Sequence, residues 1–144
     1  MPYVFRPLAR LLAPLACLTG LAALPLAAQD HGLAALEIGV NWQVTELEGA
    51  PLPPGLTASL TRPEPGRIAG HSGCNRFTGT ISEQGGALSI GPLASTRMAC
   101  PPAQMALEQR MLAALAQLRG ADIRDGMLVL TGEAGTLLRA HRQP

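Results

Sequence analysis

The sequence predicts an α+β fold, an antiparallel β-sheet or roll of short strands with one packed α-helix over about residues 101–119. Three observations lead there. Short apolar/polar alternations recur between Asn41 and Ile90, divided by turn signals. The period then changes to a helical one after Pro101, and two further alternating runs follow around Asp125 and Gly126.

Taken in order, "NWQVTEL" places Trp42 and Val44 on one face of a half-buried strand, and "EGAPLPPG" breaks the chain with prolines and glycines. Next come "LTASL" with Leu56, Ala58 and Leu60 on one face, "RIAG" around Ile68, "FTGTI" with Phe77 and Ile81, and "ALSI" with Leu88 and Ile90. "PEPG" and "EQGG" supply turns, so the close spacing reads as an antiparallel meander with Trp42 and Phe77 as core anchors. "PPAQMALEQRMLAALAQLRG" opens with Pro101 and Pro102, suited to a first helical turn, and closes on Gly120, suited to a C-terminal cap. At helical spacing Met105, Leu107, Met111, Leu112, Leu115 and Leu118 share an arc of roughly 160°, wide enough to cover a sheet. "DIRDGMLVL" is then two strands around an Asp125-Gly126 turn, and "GEAGTLLRA" is the last strand.

Glu108 falls at the centre of that apolar arc, where an unpaired carboxylate is costly. The expectation is a partner, with Arg97 and Arg76 as candidates because each lies close to a cysteine; the alternative is that Glu108 emerges at the helix edge into water.

Arg6 and Arg10 precede an apolar run from Leu11 to Leu26 that ends in Ala27 and Ala28, which reads as a signal peptide over 1–28. The run is shorter than the ~20 residues of a spanning helix and is interrupted by Pro14, Gly20 and Pro25, so no transmembrane helix is expected in the mature chain. Cys17 follows Leu15 and Ala16 as in a lipid-attachment signal, but Pro14 stands where such signals take Leu, and a lipid anchor there is not expected. A periplasmic or secreted location follows. The remainder divides into a lead-in linker over 29–38 and one domain over 39–142, too small for a second catalytic domain. Beyond the leader, nine arginines, no lysines and ten acids give a charge near −1, which argues against nucleic acid or acidic membrane as the main partner.

Two cysteines remain after the leader, Cys74 and Cys100, and an even count in an exported chain favours a disulfide. A nucleophilic Cys74 with His71 as its base is the competing reading, although residues three apart on a strand face opposite ways unless Gly73 turns the chain. There is no C-x-x-C. Zinc held by His71, Cys74, Cys100 and His31 or His141 would match no familiar spacing. "GHSGC" is similar to the surroundings of a serine-protease nucleophile, but the chain is too short for that two-barrel enzyme. Gly73 and Asn75 both tolerate left-handed backbone and suit a turn that presents Cys74. No phosphate-binding or dinucleotide fingerprint is present, so no catalytic residue, cofactor or metal ligand is assigned.

A tryptophan near the domain start, "GHSGCNRFTG", "LASTRMACP", "ALEQRMLAAL" and "MLVLTGEAGTLLRA" together resemble the META domain, also called the HslJ-like domain of heat-shock proteins, across roughly residues 39–142. The resemblance implies a small α+β domain found in exported and lipoprotein contexts, linked to heat-shock and stress responses, with no established catalytic mechanism. Its first motif falls on Ser72, Gly73, Cys74 and Asn75 and its second on Ser95, Thr96, Arg97, Met98 and Cys100, which makes Cys74 and Cys100 the expected disulfide. The functional expectation is a non-enzymatic envelope module, acting in stress tolerance or by binding an unidentified protein or small-molecule partner. Two alternatives stand beside it: a thiol- or metal-dependent enzyme using His71 and Cys74, and an inhibitor of an envelope hydrolase that presents residues 48–55 as a proline-braced wedge.

Overall fold

The computed structural model describes Pro2 and residues 30–144. Apart from Pro2, the expected signal peptide lies outside the described residues, as does Cys17. Ten strands and one helix follow in chain order: β1 (Asn41–Leu47), β2 (Ala50–Pro51), β3 (Ser59–Thr61), β4 (Arg67–His71), β5 (Arg76–Gln84), β6 (Ala87–Ile90), β7 (Ala94–Ser95), α1 (Pro102–Ala116), β8 (Gly120–Arg124), β9 (Met127–Gly132) and β10 (Gly135–Arg142). All pair antiparallel in one sheet ordered β6-β5-β4-β3-β1-β10-β9-β8, with β2 beside β1 and β7 beside β5. The α+β class, with a single α-helix among the described residues, is as the sequence predicts.

The sheet curls until its ends nearly meet, where the Leu88 amide on β6 donates to the Arg119 carbonyl beside β8 at 2.7 Å. Inside lie Trp42, Leu60, Ile68, Phe77, Leu88, Leu128, Leu130 and Leu138, all buried. The helix closes this interior against β1, β6 and β10. Leu107, Met111 and Leu115 are the buried centre of its apolar arc, Met105 and Leu112 are its half-buried margins, and Leu118, just past the helix end, is buried as well. The Asp125-Gly126 turn has positive φ at both residues (52° and 76°), the backbone that a tight hairpin with native strand twist requires.

Three features differ from the expectation. The strands are not a simple meander, because β1 pairs with both β3 and β10 and so joins two meanders, β3 to β6 and β8 to β10. The helix ends at Ala116, and Gly120 is the first residue of β8 rather than a cap. The Arg119 amide donates to Thr131 at 2.8 Å and its carbonyl accepts from Leu88, so sheet pairing draws the chain out of the helix before Gly120. The segment read as a linker is also packed. It forms a 3₁₀ turn at Gly32–Ala34 against β5, β6 and β8, covering the line where the sheet ends approach, and it buries Ala35 and Leu36. Arg62 fixes it by donating to the Leu33 and Leu36 carbonyls, the latter at 2.8 Å.

His31 pairs with Asp122 at 2.5 Å at the head of this segment. The His31 hydrogen bond and the Arg124 guanidinium hold the Asp122 carboxyl below the usual carboxylate range, against an upward push from burial. A lowered folded-state pKa stabilises the fold above the ordinary carboxylate value, and that contribution is lost as pH falls through the folded value. The Asp122→Asn variant is therefore expected to lose about 1 kcal/mol at neutral pH and little or nothing at an acid pH below the lowered folded value. Urea unfolding at both pH values checks this; an equal loss at both would show that the carboxylate charge is not responsible.

Candidate functional site

The predicted motif residues meet at the loop between β4 and β5. Ser72 donates from both its amide and its hydroxyl to the Asn75 carbonyl, each at 2.9 Å, which closes the turn. Gly73 provides the backbone that this requires, with φ 113°, and its missing side chain admits Leu107, since a Cβ there would lie 2.9 Å from Leu107 Cγ. Asn75 has no positive φ, so its value to the loop is hydrogen bonding and not left-handed backbone.

Asn75 is the centre of a buried network. Its carboxamide oxygen accepts from the Met98 amide at 2.7 Å and from Thr96 Oγ1 at 2.8 Å. Its Nδ2 and its backbone amide donate to Glu108 Oε2 at 2.9 and 3.1 Å. Glu108 is therefore buried and partnered, and neither Arg76 nor Arg97 is the partner, contrary to the expectation; the alternative of an edge position in water also fails. The physical reason is that the loop offers two aligned N–H donors directly above the helix, and these satisfy a carboxylate without burying a second charge. Cys74 is joined to Cys100 in a disulfide with Cα atoms 5.9 Å apart, fastening the same loop to the segment that precedes α1.

Disulfide formation removes the thiol that a Cys74 nucleophile needs. His71 accepts from the Gly73 amide through Nδ1 at 3.4 Å and takes its place in a different constellation. The structure does not gather His31, His141, His71 and the cysteines into one site: His31 pairs with Asp122, His141 sits on β10 opposite Gln43, and no group of three metal-ligand side chains exists among the described residues. The proposed wedge at 48–55 is exposed except for the half-buried Leu52, and it is tied to the body at Glu48 and Leu52. Leu52 donates to Thr45, Glu48 donates to the Leu137 carbonyl, and the Glu48 carboxylate pairs with Arg110 on α1 at 3.0 Å.

The sequence reading missed the outer face of the sheet. Strand register places Gln43 opposite Ser59, Ser59 opposite His71, and His71 opposite Arg76, so that one polar row crosses β1, β3, β4 and β5. Asn41, Thr61 and Ala69 form a second row on the same face. Between these rows the inward residues are Trp42, Leu60, Gly70 and Phe77, and the absent side chain of Gly70 leaves room for the Phe77 ring. The result is an open cleft of about 600 Å³. At one end Gln43 is tied to the Ala58 carbonyl and to Gln143. At the other end, Ser59 Oγ, His71 Nε2 and the Arg76 guanidinium have no partner among the described residues. The only signal in the sequence was polar residues at every second position, which also describes any wetted strand face.

With this geometry in place, comparison with known proteins supplies the family. The META domain family model matches residues 34–144. The chain belongs to the META domain family. The match begins inside the packed lead-in, in keeping with the burial of Ala35 and Leu36. Two solved structures share this META fold. One is an NMR structure of a protein from Burkholderia xenovorans, 26% identical, covering 86% of this chain and 97% of that one with a TM-score of 0.61. The other is an NMR structure, 27% identical, covering 70% of this chain and 87% of that one with a TM-score of 0.53. No curated protein matched the chain.

Proposed function

We propose that this META domain is a non-enzymatic binding module of the cell envelope, exported to the periplasm or beyond and acting in stress tolerance through a partner. The observation that carries this reading is the employment of the motif side chains. Cys74 is committed to a disulfide and Glu108 to the Asn75 amides, so the two groups best suited to nucleophilic or acid–base chemistry serve as framework. What that framework holds in place is an exposed, hydrogen-bonding sheet face. The apolar leader with its flanking arginines supports export.

Intact mass of the protein recovered from the envelope fraction, with thiol alkylation before and after reduction, tests the reading. The expected result is a chain beginning near Gln29 whose Cys74 and Cys100 take up label only after reduction. A chain that keeps its leader and stays in the cytoplasm would overturn the export. Free thiols, together with a hydrolytic activity lost in Cys74→Ser, would overturn the non-enzymatic reading.

A further inference from the structure

Among the described residues most arginines are paired, and two are not. Arg67, Arg110, Arg119, Arg124, Arg139 and Arg142 each lie within 4 Å of a carboxylate, and Arg62 donates through Nη1 to two backbone carbonyls. Arg76 and Arg97, both exposed, have neither kind of partner among the described residues, and Arg76 lines the cleft. Among the described residues no acidic side chain lines that cleft, so none of them compensates the positive charge of Arg76 inside it. The neighbouring free groups point the same way. Because His71 Nδ1 accepts from Gly73, a neutral ring carries its proton on Nε2 and donates from there. Ser59 adds a hydroxyl one strand further on, opposite His71.

A guanidinium, an imidazole N–H and a hydroxyl in register across three adjacent strands form a donor array that suits an oxyanion, with the guanidinium able to bind two oxygens at once. The rest of the wall is uncharged and rich in hydroxyls and amides, from Asn41, Gln43, Thr57 and Thr61. The volume is that of a small-molecule site. We infer that the outer-face cleft binds a small hydroxylated anion, a sugar phosphate or sugar acid, with its phosphate or carboxylate on Arg76, His71 and Ser59. This goes beyond the module's proposed location and partner, and it stands or falls separately from them.

The test is an amide-resolved NMR titration of the oxidised domain with glucose 6-phosphate, glucuronate and glucose. Either anion, or both, is expected to shift the amides of Ser59, His71 and Arg76 saturably, while glucose leaves them in place; which anion is favoured tells phosphate from carboxylate recognition. Arg76→Gln should weaken the favoured anion by about tenfold or more, Ser59→Ala by less, and Arg139→Gln, on a paired surface arginine, not at all. Arg76 is exposed, so the variant's retained spectrum separates lost binding from lost fold. The inference is overturned if glucose acts like the anions, if the shifts scatter over every arginine, if Arg76→Gln binds as before, or if no probe moves the cleft. None of these outcomes depends on export or on thiol state, so failure here leaves the envelope-module reading intact.

Discussion

Reducing the Cys74–Cys100 disulfide is expected to lower the free energy of unfolding by about 3.5 kcal/mol, the chain-entropy value for a closed loop of roughly 27 residues. The bond joins positions 26 residues apart, and it ties the β4–β5 loop to the start of α1 across the buried network of Asn75. Cys74 is 4% exposed, and its Sγ lies 3.4 Å from both the Met98 carbonyl and Asn75 Nδ2, so the thiol left by reduction keeps a weak acceptor and a weak donor beside it. The native packing should therefore survive, and the loss should come mainly from freedom restored to the unfolded chain. Paired urea melts with and without reductant measure it, together with a thermal midpoint lower by roughly 15–25 °C. A loss below about 1 kcal/mol would mean that the network alone restrains the loop in both states.

Asn75→Ala is the second large effect, expected at about 3 kcal/mol, because it removes at once a donor to the buried Glu108 carboxylate and the acceptor of two part-buried groups. The Met98 amide and Thr96 hydroxyl lose their acceptor, and Glu108 loses one of its two donors. Glu108→Leu alone should cost about 2 kcal/mol by leaving the Asn75 amides without an acceptor, whereas Glu108→Gln, which keeps a carbonyl oxygen in place, should cost about half of that. In the Asn75→Ala/Glu108→Leu double variant the loss should fall short of the sum by about 1 kcal/mol, as for any pair in direct contact. Additive losses would show that the two residues stabilise the fold independently.

These two sites also show what a reader of the sequence can and cannot see. Strands were legible wherever burial on one face imposed alternation, as at Trp42 and Val44, and the helix where six apolar residues shared an arc. Pairing of β1 with β10 was not, since register between segments so distant in sequence leaves no local trace. Gly120 looked like a cap because local signals omit the competing pull of β9 and β6 on Arg119. Glu108 announced itself as an anomaly, but charge alone suggested an arginine, and a partner formed from a turn's amides is visible only once the loop is folded over the helix. The cleft was hidden for a related reason. Gln43, Ser59, His71 and Arg76 lie on four strands, and nothing short of the register aligns them.

The central position of β1 has a consequence for timing. A chain delivered N-terminus first offers β1 at the outset, yet β10, its one neighbour long enough to pair along most of its length, arrives last. Until then β1 presents one unpaired edge and the Trp42 face has no complete interior to enter. The sheet therefore cannot close on a partial chain, and the domain's many distant pairings favour slow, all-at-once assembly after the whole segment is available. Under the export proposed above, such a delay would keep the chain thin enough to pass through a narrow pore.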